Sequence, residues 1–324
     1  MENIKVTNTP YDDVFRTLLN DCSALIIPMI NEVFGEHYSG QEEIIFAPNE
    51  HFLNRQGGNE DERITDTSFE IRGKETRRYH LECQSSTDNS MLVRFYEYDT
   101  QIALDQGRLK GNILTVTLPH SAVLFLRHHA STPDTLKIRI VTPGGTVEYD
   151  IEVVKTQQYT LEMIFEKNLL LLIPFYIFSH EARFKEYEND KTKLGELQAE
   201  YEQIKIKLED LVIQGLISEY TRCTIIDMSN KVLEHIAIKY NSVREGVKAV
   251  MGGRVLEYEA KTIKREGIKE GIEQGIEQGI EQGIEQGVKK TVSILKNLGI
   301  PPQTIQAEIQ EQYDLSFEEA QKYL

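Results

Sequence analysis

The chain has 324 residues, 40% of them hydrophobic and 27% charged, with a formal net charge of −16. This is the composition of a folded globular protein, and the acidic balance excludes one that coats nucleic acid by bulk charge. No apolar run reaches the ~18 residues that span a bilayer, and Cys22, Cys83 and Cys223 are scattered and odd in number, which excludes a disulfide framework.

The opening residues, MENIKVTNTPYDDVF, lack the charged-then-apolar pattern of a secretory signal, so a cytoplasmic protein is expected. Over residues 9–34, Phe15, Leu18, Leu19, Leu25, Ile26, Ile30 and Phe34 recur near helical spacing, and Pro28 predicts a break between two helical pieces. Asp12 opens the first helix as a cap or supplies a further carboxylate. Residues 42–53 read as a strand, and 54–62 (NRQGGNEDE) as a polar turn.

The next stretch, ITDTSFEIRGKETRRYHLECQSS, spans residues 64–86. Two β-rich runs, Ile64–Ile71 and Tyr79–Cys83, flank the polar connection Arg72–Arg78, which predicts a hairpin. Side chains on a strand repeat every two residues, so Thr65, Thr67 and Phe69 share one face, and Asp66, Ser68 and Glu70 the other. Leu81 and Cys83 likewise oppose Glu82 and Gln84. A carboxylate on one strand thus faces a carboxylate and an amide on the next. Each carboxylate alone reads equally well as a solvated strand residue; the pairing suits Mg2+, a hard cation held by one or two carboxylates plus water and phosphate. Arg63, Arg72, Lys74, Arg77, Arg78 and Arg94 surround the stretch and read either as surface charge or as phosphate contacts.

A helix is predicted over Met91–Gln106, with Met91, Phe95, Tyr98, Ile102 and Leu104 on its apolar side. Arg94 and Tyr98 share a face. Arg94 reads as a partner for phosphate or carboxylate, Tyr98 as its neighbour or as plain core. Two β-rich runs flank Pro119, and His128 and His129 after them point apart, which is unsuited to joint metal ligation. Residues 135–142 and 146–154 flank Pro143-Gly144-Gly145 as a further hairpin, and 159–178 read as a helix followed by a buried apolar segment.

From residue 182 the composition turns to Glu, Lys, Gln and Leu, predicting a long helical, coiled-coil-like region over 182–265. Residues 266–287 repeat Gly-Ile-Glu-Gln with a period of four, a weak helix or spacer ending near 288, because each Gly costs ~1 kcal/mol against Ala. Residues 289–324 predict a small helical module. The apolar seams of this half point to self-association through the C-terminal helices.

Asp66, a short hairpin, Glu82-Cys83-Gln84-Ser85, then a helix with Arg94 and Tyr98 resemble the PD-(D/E)XK nuclease fold. More narrowly they resemble the recombination-promoting nucleases, also called PD-(D/E)XK nuclease family transposases, in which Glu-x-Gln-Ser stands for Glu-x-Lys. Asp12, Phe15 and Arg16 match an N-terminal pattern of that family. The resemblance covers about residues 9–180 and departs from the wider superfamily at Ile64-Thr65, where a proline-containing lead-in is usual, and at Gln84, where lysine is. It implies an α/β nuclease domain over 1–181, a mixed central sheet flanked by helices, followed by an all-α extension. It also implies a metal-dependent DNA endonuclease using Mg2+, or Mn2+ in its place. Asp66 and Glu82 would be the metal ligands, Gln84 would orient water, and Arg72, Arg77, Arg78 and Arg94 would contact DNA, with Asp12 and Tyr98 in support. Gln84 in place of lysine leaves open a catalytically silent accessory protein that binds DNA or other proteins on the same fold.

Overall fold

Alternating side chains set the architecture. The computed structural model describes residues 10–46, 50–54, 60–64, 67–85, 90–252, 287–292, 294–296, 300–313 and 315–323. Strands β1 (Glu43–Phe46), β2 (Glu50–Asn54), β3 (Glu60–Ile64), β4 (Thr67–Arg72) and β5 (Thr76–Gln84) precede helix α3 (Met91–Asp105). After it come β6 (Arg108–Lys110), β7 (Ile113–Thr115), β8 (His120–Phe125), β9 (Thr135–Thr142) and β10 (Gly145–Lys155). Six of these form one mixed sheet in the order β1-β4-β5-β8-β10-β9. The β1–β4–β5 and β9–β10 pairings are antiparallel, whereas β5, β8 and β10 run parallel. The motif hairpin forms as the sequence predicts, but its first strand begins at Thr67, its second runs longer, over Thr76–Gln84, and its turn is only Gly73–Glu75.

The period of two divides the sheet cleanly. Phe69 and Ile71 on β4, with Tyr79, Leu81 and Cys83 on β5, face α1 (Pro10–Asp21) and α2 (Ile26–Phe34) in the main core. The Phe69 and Tyr79 rings stack with centroids 5.7 Å apart, and burying each such side chain is worth about 1.5–3 kcal/mol. On the other face α3 lays Met91 and Phe95 on Val123, Phe125, Ile138 and Ile151. The helix read over 159–178 is short, α4 (Leu161–Glu166), and the apolar run after it winds as a 3-10 segment, Leu170–Arg183.

The helical half does not stand off from this core. Helices α5 (Phe184–Asn189), α6 (Lys191–Ile213), α7 (Glu219–Ile236) and α8 (Asn241–Met251) contribute Leu197, Tyr201, Ile204, Leu208, Ile225, Val232 and Val247 to the same buried cluster as the sheet. Residues 1–260 form one compact unit and 261–324 another. In the second unit Val288, Val292, Ile305, Ile309 and Ala320 form a separate small core, drawn in part from α9 (Pro302–Tyr313) and α10 (Phe317–Gln321). The Gly-Ile repeat lies outside the described residues, apart from Gly287. No helix among the described residues is long and apolar enough to cross a membrane.

Candidate functional site

Strand β5 is third in the sheet order and paired on both sides, which leaves its even-numbered side chains under α3. Arg78, His80, Glu82 and Gln84 therefore lie in a row on that face. Glu82 is 4% exposed and His80 and Asp99 are both fully buried, so every polar atom here needs a partner. The imidazole supplies one to each carboxylate. His80 Nδ1 donates to Asp99 Oδ1 at 2.7 Å, and Nε2 donates to Glu82 Oε1 at 3.3 Å. Gln84 Nε2 donates to Glu82 Oε2 at 3.3 Å. Asp99, on α3, also accepts from Ser121 Oγ of β8 at 2.8 Å and from the Tyr149 hydroxyl of β10 at 3.3 Å.

Burial works against charge on His80, but its hydrogen bonds to Asp99 and Glu82 prevail, and its pKa is pushed up to about 9. At neutral pH the ring is an imidazolium between two carboxylates. Tyr149 is raised by burial and by the neighbouring Asp99 charge, which keeps its hydroxyl a donor. Sequence reasoning reached Glu82 and Gln84 but not His80, Asp99, Ser121 or Tyr149. A signal existed: Asp99 falls among Phe95, Tyr98 and Ile102 on the inward stripe of α3, and His80 shares the parity of Glu82.

The other candidates sit as follows. Asp66 lies outside the described residues; its chain neighbour Thr67 pairs with Leu81, the neighbour of Glu82. Tyr98 is buried, its ring edge-on to His80 with centroids 6.0 Å apart. Arg72 pairs with Glu43 at 3.1 Å, and Arg77 with Glu36 and with Glu75. Arg78 bonds Glu70 at 2.7 Å and the Ile102 carbonyl at 3.0 Å, which ties β5 to the end of α3. Asp12 stands in the first turn of α1, a helix that packs on the opposite face of the sheet from Glu82. That turn approaches the carboxyl ends of β5 and β8, where Tyr11 meets Arg127 and Arg127 donates to the Ser85 carbonyl at 3.4 Å.

Arg94 differs from the other three arginines. Its Nε and Nη2 are buried without a hydrogen-bond partner among the described residues, as is Ser68 Oγ on β4, directly across from His80. Contacts between β5 and α3 advance in step: Arg78 meets Ile102, and His80 meets Asp99, Tyr98 and Phe95. Two strand residues rise about 6.6 Å and four helical residues about 6 Å, so the next step sets Glu82 level with the turn that carries Arg94. The buried carboxylate of Glu82 and the amide of Gln84 thus share the face of β5 that α3 covers, and Arg94 rides on that helix. Among the described residues no group of three or more His, Cys, Asp or Glu side chains is placed to hold a metal ion. No family model, curated protein or solved structure matches the chain.

Proposed function

We propose that this chain is a metal-dependent DNA endonuclease that hydrolyses phosphodiester bonds, on a PD-(D/E)XK-type domain of the kind associated with recombination or mobile elements. The observation that carries this reading is the buried Glu82 carboxylate on a central strand, held between Nε2 of His80 and Nε2 of Gln84. The mixed sheet with helices on both faces is the architecture such a domain requires.

The donor chemistry fits a hard divalent cation. Glu82 offers carboxylate oxygen, and a buried imidazole hydrogen-bonded to it is the kind of outer partner that orients metal ligands. Glu82 and Asp66 would hold Mg2+ or Mn2+, with water and phosphate completing the set. Bound there, the cation supplies Lewis acidity and lowers the pKa of water. Gln84, with Nε2 on Glu82, would orient the attacking water by accepting a hydrogen bond from it at the amide oxygen. Arg94 holds the phosphate, which gives its buried nitrogens the anion they lack. A DNA role for Arg72, Arg77 and Arg78 requires each to exchange a carboxylate partner for phosphate. Tyr98 supports His80, and Asp12 acts from the carboxyl end of the strands. Self-association falls to the C-terminal module, because the Leu197–Leu208 seam of α6 is already filled within the chain.

The test uses supercoiled plasmid with purified protein and Mg2+, Mn2+ or EDTA. Nicking that needs metal and disappears in Asp66→Ala and Glu82→Ala is expected; nicking that survives both substitutions ends the proposal. One observation favours a second reading, the catalytically silent accessory protein: His80 and Gln84 already bond the two carboxylate oxygens of Glu82, and Gln84 brings no charge of its own. Calorimetry separates the two, because a silent scaffold takes up no Mn2+ at Glu82.

A further inference from the structure

The resemblance accounts for Glu82 and Gln84 but gives no role to the polar relay behind them. We propose that His80 is the positioning residue of the site: its Nε2 fixes the carboxylate of Glu82 for the cation, and Asp99, gripped by Ser121 and Tyr149, fixes His80. The inference rests on the reading of Glu82 as a metal ligand.

Three observations support it. The relay is directional, since His80 spends one nitrogen on each carboxylate and so couples the orientation of Glu82 to that of Asp99. It is also anchored on separate elements, because Asp99 receives hydrogen bonds from β5, β8 and β10 while riding on α3. Finally, the ring itself is held: Phe95 packs on His80 with centroids 5.0 Å apart and Tyr98 meets it edge-on. Packing alone needs none of this, because well-packed apolar residues replace a buried ionic network at little or no loss of stability. A carboxylate that must keep one orientation does need it.

The two ring nitrogens can be tested separately. The amide nitrogen of Gln reaches the place of Nε2, and that of Asn the place of Nδ1. His80→Gln therefore keeps a donor on Glu82, and His80→Asn keeps one on Asp99. Mn2+ affinity of the full-length chain is measured by calorimetry, with circular dichroism and thermal unfolding on the same samples. A positioning role predicts that His80→Asn weakens Mn2+ binding by about tenfold or more. His80→Gln should stay within about threefold, although both variants lose thermal stability. Tyr149→Phe removes one distant hydrogen bond with little change of shape and is expected to weaken binding about twofold, so the proposal stays testable if substitutions at 80 do not fold. Equal affinities for wild type, His80→Asn and Tyr149→Phe would overturn the positioning role and leave the nuclease reading intact. A wild-type chain that binds no Mn2+ would overturn both.

Discussion

Arg94 buries its Nε and Nη2 without a hydrogen-bond partner among the described residues. Desolvating a charge without a partner is costly, so the residue weighs on stability unless an anion visits. Arg94→Met keeps the side-chain length and removes the charge. We expect the variant to be as stable as wild type or more so, by up to about 1 kcal/mol, while plasmid nicking falls at least tenfold. Loss of stability together with full activity would show the guanidinium to be structural. Asp99 behaves oppositely. Asp99→Asn removes the nearer of the two carboxylates on His80, and a loss of about 3 kcal/mol in urea unfolding is expected. Gln84 is the third case. Gln84→Ala should slow turnover yet leave Mn2+ uptake measurable, because an amide steers water without adding charge. Gln84→Lys should retain or raise turnover if the position corresponds to the superfamily lysine, and a Lys variant as inactive as Ala would break that correspondence.

Helices α6 and α7 join at Gly215, whose φ of 71° lies in the left-handed region. The Leu216 amide reaches back to the Leu211 carbonyl at 2.9 Å, and Ser218 restarts the chain by accepting from the Thr221 amide at 3.0 Å. A side chain at 215 meets no neighbour within 4 Å, so Gly215→Ala should cost only the conformational strain, about 1–2 kcal/mol, and leave nicking unchanged. A urea titration and the plasmid assay check both halves of that statement. The apolar spacing continues on both sides of this joint and predicts an uninterrupted helix, and only the Gly215-x-x-Ser218 punctuation marks the break. Sequence spacing does better where a local period decides the outcome. Alternation placed Glu82 and Gln84 on one face of β5 and Leu81 and Cys83 on the other, and the structure keeps that division. What alternation could not supply is the partner of Glu82's own neighbour: Asp99 lies on another element, and its pairing with His80 depends on how α3 is turned on the sheet. Ser121 and Tyr149 are more distant still, and only the parallel crossovers bring them in.

At the scale of the chain, the boundary drawn at residue 181 crosses a continuous core. Tyr11 and Phe178 meet edge to face at 5.0 Å, and Tyr11 meets His235 of α7 at 5.1 Å. Deleting everything after Glu181 would strip α7 from α1 and bare Val14, Leu18 and their neighbours. Such a chain should aggregate, whereas one ending after Gly252 should fold and keep whatever nicking the full chain has. Light scattering and near-ultraviolet dichroism on the two truncations decide the matter; a soluble monomer ending at Glu181 would mean that the sheet and its own helices suffice.

The enclosure of His80 also gives the site a spectroscopic voice. An imidazolium with both N–H groups on carboxylates and no exposed surface exchanges those protons slowly with water. Each should appear in a proton NMR spectrum as a separate line, well downfield of the backbone amides, and remain visible at neutral pH. The line from Nε2 reports on Glu82 and the line from Nδ1 on Asp99. A cation arriving at Glu82 should displace the first far more than the second, so occupancy could be followed from inside the protein, without a substrate and without a label.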